Sequence, residues 1–140
     1  MGASHRFFDH TGDFGADVEA GSREELFAEA AVAFAHLLTD AVERIEARES
    51  VELEVSGMDD EDLLVALGNE LLYLFEVEGW LVRRLDGVEI DDGVLCARAI
   101  GEHFDEARHP IARPIKAVTH HGASVRNENS VWKARLIFDL

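Results

Sequence analysis

The chain is short of several things at once. In 140 residues it has one cysteine, two prolines and two lysines. The lone Cys96 allows no internal disulfide and no cysteine pair for zinc; with no secretory signal in MGASHRFFDH it favours a reducing cytoplasm and reads as a small core residue. No stretch approaches the roughly 18 apolar residues of a membrane-spanning helix, so no membrane partner is expected. Missing too are the G-x-x-x-x-G-K-[ST] loop, the G-x-G-x-x-G turn, the G-x-S-x-G elbow and the H-E-x-x-H pair, which leaves no template for a catalytic centre. Basic residues are scarce overall, 13 against 29 acids, for a formal charge of −16. Nucleic-acid binding without sequence preference depends on Lys and Arg displacing counterions from phosphates, so no direct nucleic-acid binding is expected. The same imbalance would suit a protein kept soluble at high salt.

What is present is enough for one domain, residues 1–140, with 47% apolar residues available for a core. Residues Phe7 to Ala20 read as two extended pieces around Gly12 and Gly15. Ser22 and Glu25 have capping-box spacing, and Leu26, Ala30, Phe34 and Leu37 recur at helical intervals up to Thr39. V-E-L-E-V, Val51 to Val55, alternates as a half-buried strand. The acids Asp59 to Asp62 open a second helix whose leucine stripe Gly79 is placed to end. Trp80 to Ile90 and Val94 to Phe104 read as a hairpin, followed by three further strands: Ile115 to His121, Ala123 to Asn127 and Ser130 to Phe138. The order predicts an α+β sandwich, a mixed or largely antiparallel sheet with its apolar face covered by two helices.

Chemistry has few places to sit. Residues 107–127 hold Arg108, Arg113, Lys116 and Arg126 and no acid, the one stretch of positive potential. In D-H-T-G-D-F-G, Asp9, Thr11 and Asp13 would share a face of an extended segment and offer oxygens to a hard cation such as Ca²⁺ or Mg²⁺. The last strand alternates so that Asp139 falls on its polar side beside the oxygens of Leu140, and acids there repel unless a cation compensates. His120 and His121 are adjacent and would point to opposite faces of a strand, which argues against their sharing a metal.

In order along the chain stand D-H-T-x-D-x-G at Asp9 to Gly15, S-x-E-E-L-F at Ser22 to Phe27 and N-E-L-L-Y-L-F at Asn69 to Phe75. Then come G-E at Gly101 and Glu102, I-K-A-V-T-x-H at Ile115 to His121 and W-x-A-R-L-I-F-D-L at Trp132 to Leu140. In that order and spacing the sequence resembles the archease family over nearly its whole length, departing from the usual pattern at Gly12, Pro114 and His120. The resemblance implies the archease fold, an α/β sandwich with duplicated strand-helix-strand-strand units. It implies an accessory role rather than a stand-alone enzyme: promoting guanylylation and multiple turnover of a GTP-dependent RtcB-type RNA ligase in tRNA splicing or RNA repair, with tRNA met only through the ligase. It also implies a cation site, usually described with calcium and open in principle to magnesium or manganese, at Asp13, Asp139 and Leu140. Lys116 corresponds to a lysine important for activation, with Asp9, His10 and His120 as further partner-facing candidates. Beside it stands a different reading of the same residues: a metal-dependent hydrolase of a small phosphorylated substrate, with His120 or His10 as proton carrier.

Overall fold

Alternation of apolar and polar residues builds the strands, and two capped apolar stretches build the helices. The computed structural model describes residues 2–10 and 13–140, without the side chain of His10. Within them run β1 (Ser4–His10), β2 (Asp13–Ala20), α1 (Arg23–Leu38), a 3-10 turn (Val42–Arg44), β3 (Glu49–Ser56) and α2 (Asp60–Glu76). Four strands complete the order: β4 (Trp80–Asp91), β5 (Val94–His103), β6 (Ala117–Glu128) and β7 (Val131–Asp139). Ser22 Oγ accepts the Glu25 N–H at 3.1 Å and Asp59 Oδ1 accepts the Asp62 N–H at 2.8 Å, so both helices start on the expected caps. Gly79, at φ 67°, stops the second helix by returning its N–H to Phe75 O at 3.1 Å.

The strands form two antiparallel sheets, in orders β1-β2-β7-β6 and β3-β5-β4, where one sheet was expected. Both helices serve both sheets: α1 packs on β2 and β4, and α2 on β6, β4 and β3. A helix covered by a single sheet buries one stripe. Here α1 buries residues from Leu26 to Leu38 around more than half its circumference, and α2 does the same from Leu63 to Leu72. That width is the physical reason for the second sheet.

Two further expectations are corrected. The strands expected at Ile115 to His121 and Ala123 to Asn127 are one strand, β6, with an irregularity in its pairing to β7 between Thr119 and Ser124. Gly122, at φ 85°, takes a left-handed conformation that lets the ladder resume instead of ending. Asn69 of α2 also secures this strand, accepting the Val118 N–H and donating to Val118 O, both at 3.0 Å. Cys96 lies on the surface, because Leu95, Ala97 and Ala99 take the inward positions of β5.

Candidate functional site

The four-stranded sheet decides what its ends bring together. Antiparallel pairing sets His10 opposite Asp13, Phe14 opposite Phe138, and Ala117 opposite Asp139. The Lys116 N–H donates to Asp139 O at 2.7 Å. Asp13 on β2, Asp139 on β7 and Lys116 just before β6 therefore meet at one end of one sheet, although 126 positions of sequence separate the two aspartates.

Asp9 does not share the face of Asp13. It pairs with Phe14, whereas Asp13 pairs with His10, because the chain reverses between β1 and β2 and alternation restarts on the second strand. Thr11, which the sequence placed on the same face, and the His10 side chain lie outside the described residues. His120 is engaged elsewhere: its Nε2 lies 2.8 Å from Asp62 Oδ1, at the start of α2. That contact, followed by the Met58 N–H, holds the Asp62 carboxyl below the usual carboxylate range.

Of the four cations in residues 107–127, three are internally occupied. Arg108 bonds Glu102 and Glu46, Arg126 lies 3.0 Å from Glu128, and Arg113 donates to Leu37 O at 3.0 Å with its guanidinium 5.1 Å from the Phe14 ring. Lys116 has no ion pair and no side-chain hydrogen bond among the described residues, and neither do the carboxylates of Asp13 and Asp139. Two carboxylates and main-chain oxygens are hard donors suited to a hard divalent cation. No group of three or more His, Cys, Asp or Glu side chains converges among the described residues, so a cation here would draw on Leu140 main-chain oxygen as well.

One charged cluster was not anticipated as such. Glu102, 4% exposed, takes two bonds from Arg108 at 2.9 and 3.1 Å, one from the Glu46 N–H at 2.7 Å and one from His109 Nε2 at 2.9 Å. Arg48 adds an ion pair at 3.4 Å. The Asp105 N–H donates to His109 Nδ1 at 2.9 Å, which fixes the tautomer so that Nε2–H faces Glu102. With both nitrogens engaged and 1% exposure, His109 is a structural histidine. Arg108 pulls the Glu102 carboxyl down to about 2 against the opposing effect of burial. The G-E pair was visible in sequence; its partners, up to 56 positions away, were not.

Two helices packed against two antiparallel sheets, with the first hairpin beside the last strand, define the class of fold to which this chain belongs. The solution structure of Methanobacterium thermoautotrophicum Protein 1598 matches it at a TM-score of 0.81 and 33% identity, covering 97% of this chain and 98% of that one. The crystal structure of an archease, possible chaperone, from Thermotoga maritima has the same fold, at a TM-score of 0.67 and 22% identity over 95% of this chain and 94% of that one. In sequence, the protein archease of Methanosarcina barkeri is 33% identical over 144 residues, covering 100% of this chain and 98% of its own length. That of Methanopyrus kandleri is 35% identical over 135 residues, covering 94% and 96%. The Archease protein family matches residues 5–140, and the chain belongs to that family. No helix among the described residues is long and apolar enough to cross a membrane.

Proposed function

We propose that this chain is an accessory protein of a GTP-dependent RtcB-type RNA ligase, raising ligase guanylylation and turnover in cytoplasmic tRNA splicing or RNA repair. The observation that carries the reading is the meeting of Asp13, Asp139 and Lys116 at one end of the β1-β2-β7-β6 sheet, all without an ion pair among the described residues. Asp13, Asp139 and Leu140 oxygen would hold calcium or another hard divalent cation there. When bound, that ion supplies positive charge to adjacent carboxylates that otherwise repel.

The rest is done by the chain's own groups. The backbone pairing of β2, β7 and residue 116 holds both acids and the lysine on rigid elements, so their arrangement exists before a partner arrives. Lys116 offers an uncompensated ammonium to an acidic group on the ligase, and Asp9, exposed at the end of β1, lies on the same rim. An activator of this kind binds one conformation of its enzyme better than others and shifts the population toward it, making no bond itself. Against the hydrolase alternative, His120 is tied to Asp62 and is not directed at the acidic pair.

The test is multiple-turnover ligation of RNA ends by the cognate ligase, with and without the purified chain. The expected result is that the chain does nothing alone, raises turnover with the ligase in the presence of calcium, and loses that effect as Asp13→Ala. Hydrolysis of phosphoesters by the chain alone, abolished by Asp13→Ala, would instead establish the hydrolase.

A further inference from the structure

Beside Lys116 the surface is apolar. A groove of about 430 Å³ runs between the end of α2 and the irregular segment 111–116, floored by Leu38, Leu72, Phe75, Ile111 and Ile115. Of the four large apolar side chains left exposed among the described residues, Tyr73, Val77 and Ile111 belong to α2, its C-cap and that segment.

The groove is preformed. Residues 104–116 contain neither helix nor strand, at a length where irregular connections are uncommon without a function. They are nonetheless fixed at three places. Glu102 holds Arg108 and His109 at the start; the Ala112 N–H donates to Leu38 O at 2.8 Å in the middle; the Lys116 N–H donates to Asp139 O at the end. An irregular wall held this way keeps Ile111 from collapsing into the core.

Its charges say what would fill it. Glu76 and Arg113 border the groove with opposite signs, and Arg113 is already bonded to Leu37 O. Among the described residues neither the Lys116 ammonium nor the Glu76 carboxylate has an ion pair, and with Arg113 the lining sums to one net positive charge, in a chain whose formal charge is −16. Phosphate recognition calls for several converging donors, which an apolar floor with one lysine does not provide. A single carboxylate next to an apolar side chain matches both features, and the acidic surface elsewhere disfavours docking such a segment at other places.

We infer that this groove docks a partner-protein segment that buries an aliphatic or aromatic side chain over Ile111 and Phe75 and sets its own carboxylate on Lys116. The inference rests on the proposed function for the identity of the partner, the ligase. The apolar anchor supplies affinity through desolvation, the carboxylate fixes orientation, and the two act together because one segment carries both.

The experiment is titration of the full-length chain into the cognate ligase, with calcium, at two salt concentrations, for the wild type, Ile111→Ser, Lys116→Gln and the double variant. The thermal melt of each variant checks folding, and Ile111→Met serves as the conservative control. Expected are a loss of about tenfold for each single change, salt-insensitive for Ile111→Ser, and a reduced salt dependence for Lys116→Gln. The double variant should lose less than the product of the two, and Ile111→Met should bind nearly as the wild type. Binding unchanged by Ile111→Ser but weakened by Lys116→Gln would overturn the groove while leaving the ligase reading standing, as would strictly multiplicative losses. Self-association of the chain, or binding of tRNA, lost on Ile111→Ser would assign the groove to a different occupant and overturn the inference. A wild-type chain that neither binds nor activates the ligase would remove the reading on which it rests.

Discussion

Two acidic places in this protein have opposite fates. At Glu102 the chain supplies every partner from within: two arginines, a histidine of fixed tautomer and a backbone N–H close on one buried carboxylate. At the end of the four-stranded sheet, Asp13 and Asp139 stand on neighbouring strands and receive no ion pair from the described residues. A carboxylate surrounded by its own donors is a finished part of the fold, because burial without those bonds would be costly. Carboxylates set on neighbouring strands without such partners would repel wherever they come close, and a bound cation would relieve that repulsion. Under the function proposed, the difference separates what the chain completes alone from what an ion and a partner would complete.

The contrast breaks most visibly at the closed cluster. Glu102→Ala leaves Arg108 and His109 beside a cavity with no carboxylate, and should destabilise the protein by about 3 kcal/mol, the lower end for a broken buried pair because Arg108 is partly exposed. In a thermal melt that is a fall of roughly 10 °C. Segment 104–116 should lose protection first in hydrogen exchange, since Arg108 and His109 are its anchors. The pH dependence follows from the same bonds. Glu102 titrates at about 2 when folded, below its ordinary value of 4.5, chiefly because Arg108 donates to it. Its contribution is therefore complete above about 4.5, shrinks as the pH falls and is gone below about 2. Acidification from pH 5 to pH 3 should cost the wild type more stability than Glu102→Gln, whose side chain does not titrate.

The open site predicts a gain on adding an ion. If calcium binds the folded chain alone, saturation at a hundred times its dissociation constant raises stability by about 2.7 kcal/mol. The melting temperature of the wild type should rise accordingly with calcium, and that of Asp13→Asn should not. Glu102→Ala should keep the increment, since its defect lies in another part of the molecule. A calcium increment lost equally from both variants would erase the distinction between the two places.

How much of this was legible in the sequence differs between the two. Caps, leucine stripes and alternation located both helices and most strands, because each is a local periodic signal. The second sheet was hidden in the breadth of the helix stripes, which periodicity reads as amphipathic without saying how many surfaces cover them. The break expected at Gly122 was a real irregularity with the wrong consequence, since a glycine at positive φ can carry a ladder through. Cys96 was assigned inward by residue type when its neighbours Leu95 and Ala97 already fixed it outward. The motif residues Asp13, Lys116 and Asp139 stand out in the sequence, and the strand order supplies their proximity at backbone level. Asp9 falls on the opposite face from Asp13 because the chain reverses between them, which alternation along an extended segment does not show. The Glu102 cluster was illegible for a different reason: its members come from two stretches, residues 46–48 and 102–109, more than fifty positions apart, and no local pattern encodes their meeting.

The smallest expected effect is the most discriminating. Removing one charge from a repelling pair helps a protein that lacks a compensating ion, so Asp139→Asn without divalent cations should stabilise the chain by about 0.5 kcal/mol, the scale of exposed charge interactions. The same change at the closed cluster, Glu102→Gln, should destabilise, because there the charge is what four donors are arranged to meet. Chemical denaturation in chelator reads both signs in one set of curves. Opposite signs mean that one acidic place is built for the fold and the other against it, held in position by β7 and β2 at the fold's expense. The same sign in both would mean that Asp139 is compensated by an internal group, and that the end of the sheet needs no ion.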